Sequence, residues 1–226
     1  LTTPHLAHDG CGDEILQLKD VTALNDSGRP GLNSVSLSLR AGQIFGIAGV
    51  AGNGQKELAE VLTGLRPVTG GSVEYMGELV TNLPPAELIR RGISYVPEDR
   101  LGMGLVPNLD AVENMLLKSY QNPEFSGRWL IDRQAAEART AELVRQYNVK
   151  LAGLNQPVRS MSGGNLQKLL LAREIAGQPK LIVVVYPARG LDVGATEGIH
   201  NLLLELRDRG TAILLVSEDL DELMKL

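Results

Sequence analysis

The densest chemistry lies in Arg159-Ser160-Met161-Ser162-Gly163-Gly164-Asn165-Leu166-Gln167-Lys168, followed by the apolar run Leu169-Leu170-Leu171-Ala172. Ser162 at an N-cap position and two glycines after it predict a helix whose first-turn amides are open to a ligand. Open amides and the positive end of the helix dipole attract anions, although a capped helix start alone would look the same. A second stretch, Gly49-Val50-Ala51-Gly52-Asn53-Gly54-Gln55-Lys56-Glu57, has the glycine spacing of a loop that wraps phosphates. A working loop of this kind ends in Gly-Lys-Ser/Thr, the lysine neutralising the terminal phosphates and the hydroxyl holding magnesium. Here Gln55 takes the lysine place and Lys56 the hydroxyl place. Neighbours on a helix point about 100° apart, so Lys56 does not simply replace the missing lysine. It reads either as a solvated surface lysine beside a relic loop, or as an ammonium standing in for magnesium in weak, metal-independent nucleotide binding.

The elements that would position these residues follow from periodicity. Ile15 to Thr22 and Leu32 to Leu39 alternate apolar and polar and predict an antiparallel sheet, with Val35, Leu37 and Leu39 on one face. Ile44 to Ala48 is a short apolar strand, the glycine loop breaks it, and Glu57 to Leu65 has helical spacing. Strand, glycine loop and helix form the setting that a phosphate loop needs. Gly71 to Leu79 predicts a strand and turn, Asn82 to Arg91 a helix capped at its start, and Ile93 to Val96 a buried strand. From Glu98 to about Ser160 the pattern is mostly helical, over Asp110 to Leu117 and Asp132 to Tyr147; Ala136, Leu143, Val144 and Tyr147 form a packing stripe. After the Ser-Gly-Gly helix come a strand over Leu181 to Val185, a helix over Gly194 to Arg209, a strand over Ala212 to Ser217 and a helix start at Asp219. Alternating strands and helices predict an α/β fold with a parallel sheet.

Composition sets the bounds. With 226 residues, 43% hydrophobic, the chain can bury a sizeable core. Its net charge of −5 and scattered Lys and Arg argue against nucleic acid as a partner, which would ask for a basic stripe. The single Cys11 makes no internal disulfide and fits a reducing compartment. No apolar run approaches the ~20 residues of a membrane helix. The polar start, residues 1–14, reads as a linker, and the end reads as a helix cut from something longer.

The order of these motifs, closed by Pro187-Ala188-Arg189-Gly190-Leu191-Asp192, resembles the ATP-binding cassette (ABC) ATPases from about Ile15 onward. The resemblance implies a P-loop (RecA-like) core over residues 15–98 with an antiparallel β-subdomain, a helical subdomain over 99–160, and the signature helix with the remaining core over 161–226. It also shows departures. Where the family ends its strand in Asp-Glu-Pro, Val185-Tyr186-Pro187 stand here, so Tyr186 occupies the catalytic glutamate position. Glu218 occupies the switch histidine position, Glu98 the Q-loop glutamine position, and Val21 to Ser27 offers no aromatic to stack on adenine. A general base contributes roughly 10²- to 10⁴-fold, so a site lacking it and its magnesium ligand should turn over near background. Ser162, Gly163, Gly164 and Asn165 keep the family's signature, and Asp192 its D-loop.

Gln55-Lys56-Glu57, Tyr95-Val96-Pro97-Glu98-Asp99-Arg100, Arg189 to Ala195 and Ser217-Glu218-Asp219-Leu220 together resemble the second cassette of tandem-cassette ATPases in bacterial importers of simple sugars or nucleosides. The resemblance then implies a peripheral protein at the cytoplasmic face of the cell membrane. ATP would be bound weakly or in trans, with no metal in the chain's own site. Its partners would be a first cassette in the same polypeptide or a second copy, permease subunits met by the face beginning at Glu98-Asp99-Arg100, and indirectly a periplasmic or lipoprotein solute-binding protein. Two alternatives stand beside it: a competent ATPase with Asp192 or Glu218 as base, and a soluble cassette acting in translation or DNA repair.

Overall fold

A computed structural model of the chain describes residues 12–49, 52–120, 122–125 and 130–226. Most of the polar start, with Cys11, and Val50 and Ala51 of the glycine stretch lie outside the described residues. The elements run β1 (Glu14–Leu24), β2 (Pro30–Arg40), β3 (Ile44–Ala48), α1 (Gln55–Leu62), β4 (Gly70–Tyr75), β5 (Glu78–Leu79), α2 (Pro85–Arg90) and β6 (Ile93–Val96). They continue with α3 (Ala111–Ser119), α4 (Arg133–Gln146), α5 (Gly163–Ala176), β7 (Leu181–Val185), α6 (Val193–Asp208), β8 (Ala212–Ser217) and α7 (Leu220–Lys225). By contact the chain divides into two compact units, one of residues 1–93, 180–183 and 200–226, the other of residues 94–179 and 184–199.

In the first unit β2, β1, β4 and β5 form an antiparallel sheet in that order. Its register sets Leu16 opposite Leu39 and Leu18 opposite Leu37, and on the other side Leu16 opposite Tyr75 and Leu18 opposite Val73. The period-two alternation therefore delivers Leu16, Leu18, Leu39, Val73 and Tyr75 to one buried face. β3 and β8 pair in parallel in a second sheet, of order β3-β8-β7-β6. Both β7 and β8 are buried at every residue, and so read as unbroken apolar runs. α7 packs against β3 and β8.

In the second unit α5 buries Leu166, Leu169, Leu170, Leu171, Ala172 and Ile175, while Val112, Phe125 and Ala136 form a smaller core of their own. The capping box of α3 is complete: Asp110 accepts from the Glu113 amide at 2.8 Å, and Glu113 accepts from the Asp110 amide at 2.9 Å.

The structure departs from expectation at several element ends. α1 stops at Leu62 rather than Leu65, because the Thr63 hydroxyl donates back to the Ala59 carbonyl at 2.8 Å and Gly64 turns away at φ 73°. α2 starts at Pro85, not Asn82, and Pro84 before it offers no side-chain cap. Pro84 disfavours helical backbone at Leu83, and Asn82 uses its amide to bind both the N–H and the carbonyl of Val68. A π turn over Arg100–Gly104, closed by Asp99, was not foreseen.

Candidate functional site

Gly49, Gly52, Asn53, Gly54, Gln55, Lys56, Glu57 and Glu218 belong to the first unit; Glu98, Ser162, Gly163, Gly164, Asn165, Tyr186 and Asp192 belong to the second.

In the first unit, α1 begins straight after the glycine loop. Gly54 at its N-cap has φ 97°, and a Cβ there would lie 2.7 Å from the Gly31 carbonyl oxygen, so glycine is required. The Gln55 side chain folds back over the loop and is buried, its Oε1 accepting from the Asn53 amide at 3.0 Å. Its Nε2 lies 2.0 Å from where a Cβ on Gly49 would sit. The carboxamide thus spans the described ends of the loop, and its oxygen takes an amide that would otherwise face an anion. The Lys56 ammonium points to carboxylates: Asp26 at 2.7 Å and Glu60 at 3.8 Å. Arg66 completes the cluster, 2.5 Å from Asp26 and 2.6 Å from Glu60. Hydrogen bonds from Lys56 and then Arg66 hold the Asp26 carboxyl down at about 2, and the bond to Asp26 raises Lys56. Glu57 lies over Gly31, its Cγ 2.7 Å from where a Cβ would be.

At the end of β8 the Ser217 carbonyl accepts from the Gly49 amide at 3.2 Å. Its hydroxyl donates to Glu222 at 2.5 Å, and the other Glu222 oxygen meets His200 Nε2 at 2.8 Å. Sequence reasoning missed this Ser217–Glu222–His200 chain, in which Ser217 and Glu222 are buried. Glu222 buried in a short helix shows itself only once α7 is seated.

In the second unit Tyr186 follows β7. It is buried, has φ 48°, and lies under the Arg189 guanidinium at 5.9 Å from its ring centroid. A bulky residue at positive φ costs on the order of 1 kcal/mol, which the surrounding packing offsets. Arg189 also pairs with Glu98, the residue expected at the Q-loop position. Among the described residues no cluster of His, Cys, Asp and Glu could hold a metal ion, and in the first unit the ammonium of Lys56 stands after Gln55 where a magnesium-holding hydroxyl is expected. These residues do not fit magnesium.

Ser162 holds the N-cap position of α5, but its hydroxyl caps no amide. It accepts instead from Asn165 Nδ2 at 2.9 Å, while Asn165 Oδ1 accepts from the Lys150 amide at 2.7 Å. The expected Ser162 cap is therefore corrected to an open helix start: the side chain three residues on holds the hydroxyl. Asp192 caps α6, accepting from the Ala195 amide at 2.8 Å, and Ala195 Cβ lies 3.0 Å from where a Cβ on Gly164 would sit.

A loop between strand and helix, a glycine-rich helix start and a capped loop after a buried strand define an ABC-type cassette. The ABC transporter family model matches residues 32–184, and the chain belongs to that family. It is 42% identical over 219 residues to the glucose import ATP-binding protein TsgD13 of Haloferax volcanii, covering 95% of this chain and 40% of that protein. It is 40% identical over 215 residues to the guanosine import ATP-binding protein NupO of Bacillus subtilis, covering 95% and 42%. The chain thus spans about two-fifths of the length of these relatives. A dimeric post-hydrolysis structure of the cassette MJ0796 with ADP and Pi matches at TM-score 0.78 and 26% identity, over 92% of this chain and 90% of that one. A nucleotide-free cassette from an ABC transporter matches at TM-score 0.77 and 25% identity, over 94% and 85%. The P-loop α/β fold with its added antiparallel sheet is the fold of these cassettes.

Proposed function

We propose that this chain is the second, degenerate cassette of a tandem-cassette ATPase serving an importer of simple sugars or nucleosides. The observation that carries the reading is the Gln55 carboxamide lying across the phosphate loop with its oxygen on the Asn53 amide. A loop satisfied from within competes with phosphate for its own donors. The commitment of Lys56 to Asp26 and Glu60, and of Glu98 to Arg189, supports the same reading. With Tyr186 at the position of the base, and Lys56 and Val185 at the positions expected to hold magnesium, the chain's own site performs no hydrolytic step.

The open start of α5 supports the complementary role. Ser162, Gly163, Gly164 and Asn165 offer unpaired amides to the ATP of a first cassette or a second copy, and Asp192 sits on the adjoining loop. Permease subunits at the cytoplasmic face of the membrane, supplied by a solute-binding protein, complete the importer. The import relatives named for glucose and guanosine support this cargo class. Among the described residues no helix is long and apolar enough to cross a membrane.

Calorimetric titration of the chain with ATP, with and without magnesium, and with phosphate release followed in parallel, tests the proposal. The expected result is weak binding that magnesium does not improve, with no release. Micromolar, magnesium-dependent binding with steady turnover would replace it with the competent-ATPase alternative.

A further inference from the structure

The turn between β1 and β2 lies against α1, and every residue of the contact belongs to the first unit. Asn25 shapes the turn: its Oδ1 accepts from the Ser27 and Arg29 amides, each at 3.0 Å, and its own amide donates to the Arg29 carbonyl at 2.7 Å. Just after the turn, Gly31 packs on the helix start. A Cβ on Gly31 would lie 2.7 Å from Glu57 Cγ, and a Cβ on Gly54 would lie 2.7 Å from the Gly31 carbonyl oxygen. Past the other end of α1, Arg66 Nη1 donates to the Leu24 carbonyl at 2.6 Å. Residues 24–31 thus form a strap fastened at both ends of α1, and Asp26 is the side chain it presents to Lys56 and Arg66.

The two cations are not held alike. Arg66 is shared between Asp26 and Glu60, and the Arg66 and Glu60 side chains keep 11% and 10% of their surface exposed. Lys56 is 54% exposed, its contact with Glu60 is 3.8 Å, and its close partner is Asp26 at 2.7 Å. The bond to Asp26 is the largest influence raising both cations from their ordinary values. An exposed ion pair by itself holds a flexible lysine weakly, so what counts here is position: the strap brings Asp26 to Lys56 already ordered. Counting Glu57 in the first turn of α1, three carboxylates, Asp26, Glu57 and Glu60, stand with two cations, Lys56 and Arg66. A helix start attracts anions through its amides and dipole, and this surplus of negative charge opposes that attraction.

We propose that Asp26 is an autoinhibitory contact: carried on the β1–β2 strap, it competes with polyphosphate for the Lys56 ammonium and lowers the affinity of the glycine loop for nucleotide. The inference rests on the degenerate-loop reading above and deepens it, since it names a second restraint, independent of Gln55. Gln55 takes a loop amide, and Asp26 takes the cation beside the loop. The two restraints come from different elements, so substitution separates them.

Calorimetry of the chain with tripolyphosphate and with ATP, at fixed ionic strength and without magnesium, tests the assignment. Asp26→Asn should tighten tripolyphosphate binding about fivefold, the scale of one exposed charge contact regained. The factor should be the same with ATP, and a gain confined to ATP would overturn a restraint that acts on phosphates. Lys56→Gln alone should change little, because its charge is already taken, and Asp26→Asn combined with Lys56→Gln should bind as Lys56→Gln does. Glu205→Gln, which removes an exposed carboxylate from α6, should bind as the unsubstituted chain does. Unchanged affinity in Asp26→Asn would overturn the proposal. So would tightening that survives in the double variant, which would make Asp26 a repelling charge with no hold on Lys56, or equal tightening in Glu205→Gln, a net-charge effect. Asn25→Ala, which loosens the strap and keeps every charge, should tighten binding by a smaller factor. Where Asp26→Asn does not fold, Asn25→Ala decides, and no tightening there overturns the proposal. Failure of the degenerate reading shows elsewhere, as magnesium-dependent turnover in the unsubstituted chain.

Discussion

Gln55 and an incoming anion want the same N–H, which makes the loop's affinity a competition between side chain and ligand. Gln55→Ala removes one competitor whose net worth is about 0.5–1.5 kcal/mol. Affinity for ATP should rise about two- to tenfold by calorimetry, and on the proposed reading magnesium should make no difference, because no donor for it has been added. Asp26 offers a test by pH. Its carboxyl is held at about 2 in the folded chain, against 3.8 when free, so its ion pairs contribute in full above pH ~4 and are lost as pH falls through about 2. The stability gap between the unsubstituted chain and Asp26→Asn, measured by denaturant unfolding, should therefore be widest near neutrality and close between pH 4 and pH 2. A gap that stays constant would mean that Lys56 and Arg66 find equal partners without Asp26.

Elements were legible in sequence wherever a local pattern decides them. β1 and β2 follow from alternation, α5 from its apolar spacing, and the start of α3 near Asp110 from its helical pattern. Asp110→Ala should cost about 1 kcal/mol, through the lost cap, in urea unfolding. What the sequence hid lies in pairs far apart along the chain. Lys56 meets Asp26 and Glu98 meets Arg189 only after folding, so neither a committed lysine nor a pinned Q-loop position can be read locally. Ser162 is the sharper case: its residue type predicts a cap, but Asn165 takes its hydroxyl, leaving the helix start open. The π turn at Arg100 has no periodic signal at all, which is why Arg100 entered only as part of a charged surface stretch. Glu174 of α5 is equally invisible beforehand. It is 1% exposed, lies 2.9 Å from Arg173, pairs with Lys118 of α3 and accepts from the Tyr95 amide of β6 at 3.2 Å. Glu174→Gln leaves two cations without their charge partner and should cost about 3–5 kcal/mol by thermal or urea unfolding.

At the scale of the whole chain, the two compact units give these substitutions different addresses. Asp26 and its partners lie wholly in the first unit, and Glu174 with Lys118, Arg173 and Tyr95 wholly in the second. Hydrogen exchange should show Glu174→Gln raising exchange in α3 and α5 while β1 and β2 keep their protection. Uniform loss of protection along the chain would mean that the units open as one. The chain passes between the units within β6, just before β7, within β7 and within α6, a route that motif order alone does not reveal.

On the proposed degenerate reading, the Glu98–Arg189 pair and the buried Gln55 position also bear on how readily a hydrolytic site could be engineered here. Placing glutamine at 98 removes the carboxylate that pairs with Arg189, and placing lysine at 55 sets an ammonium at a buried position next to Lys56. Each step towards a hydrolytic site is thus penalised unless its neighbour changes with it. Gain of activity by single substitutions should be blocked, and the shortest open routes run through paired changes whose effects are strongly non-additive.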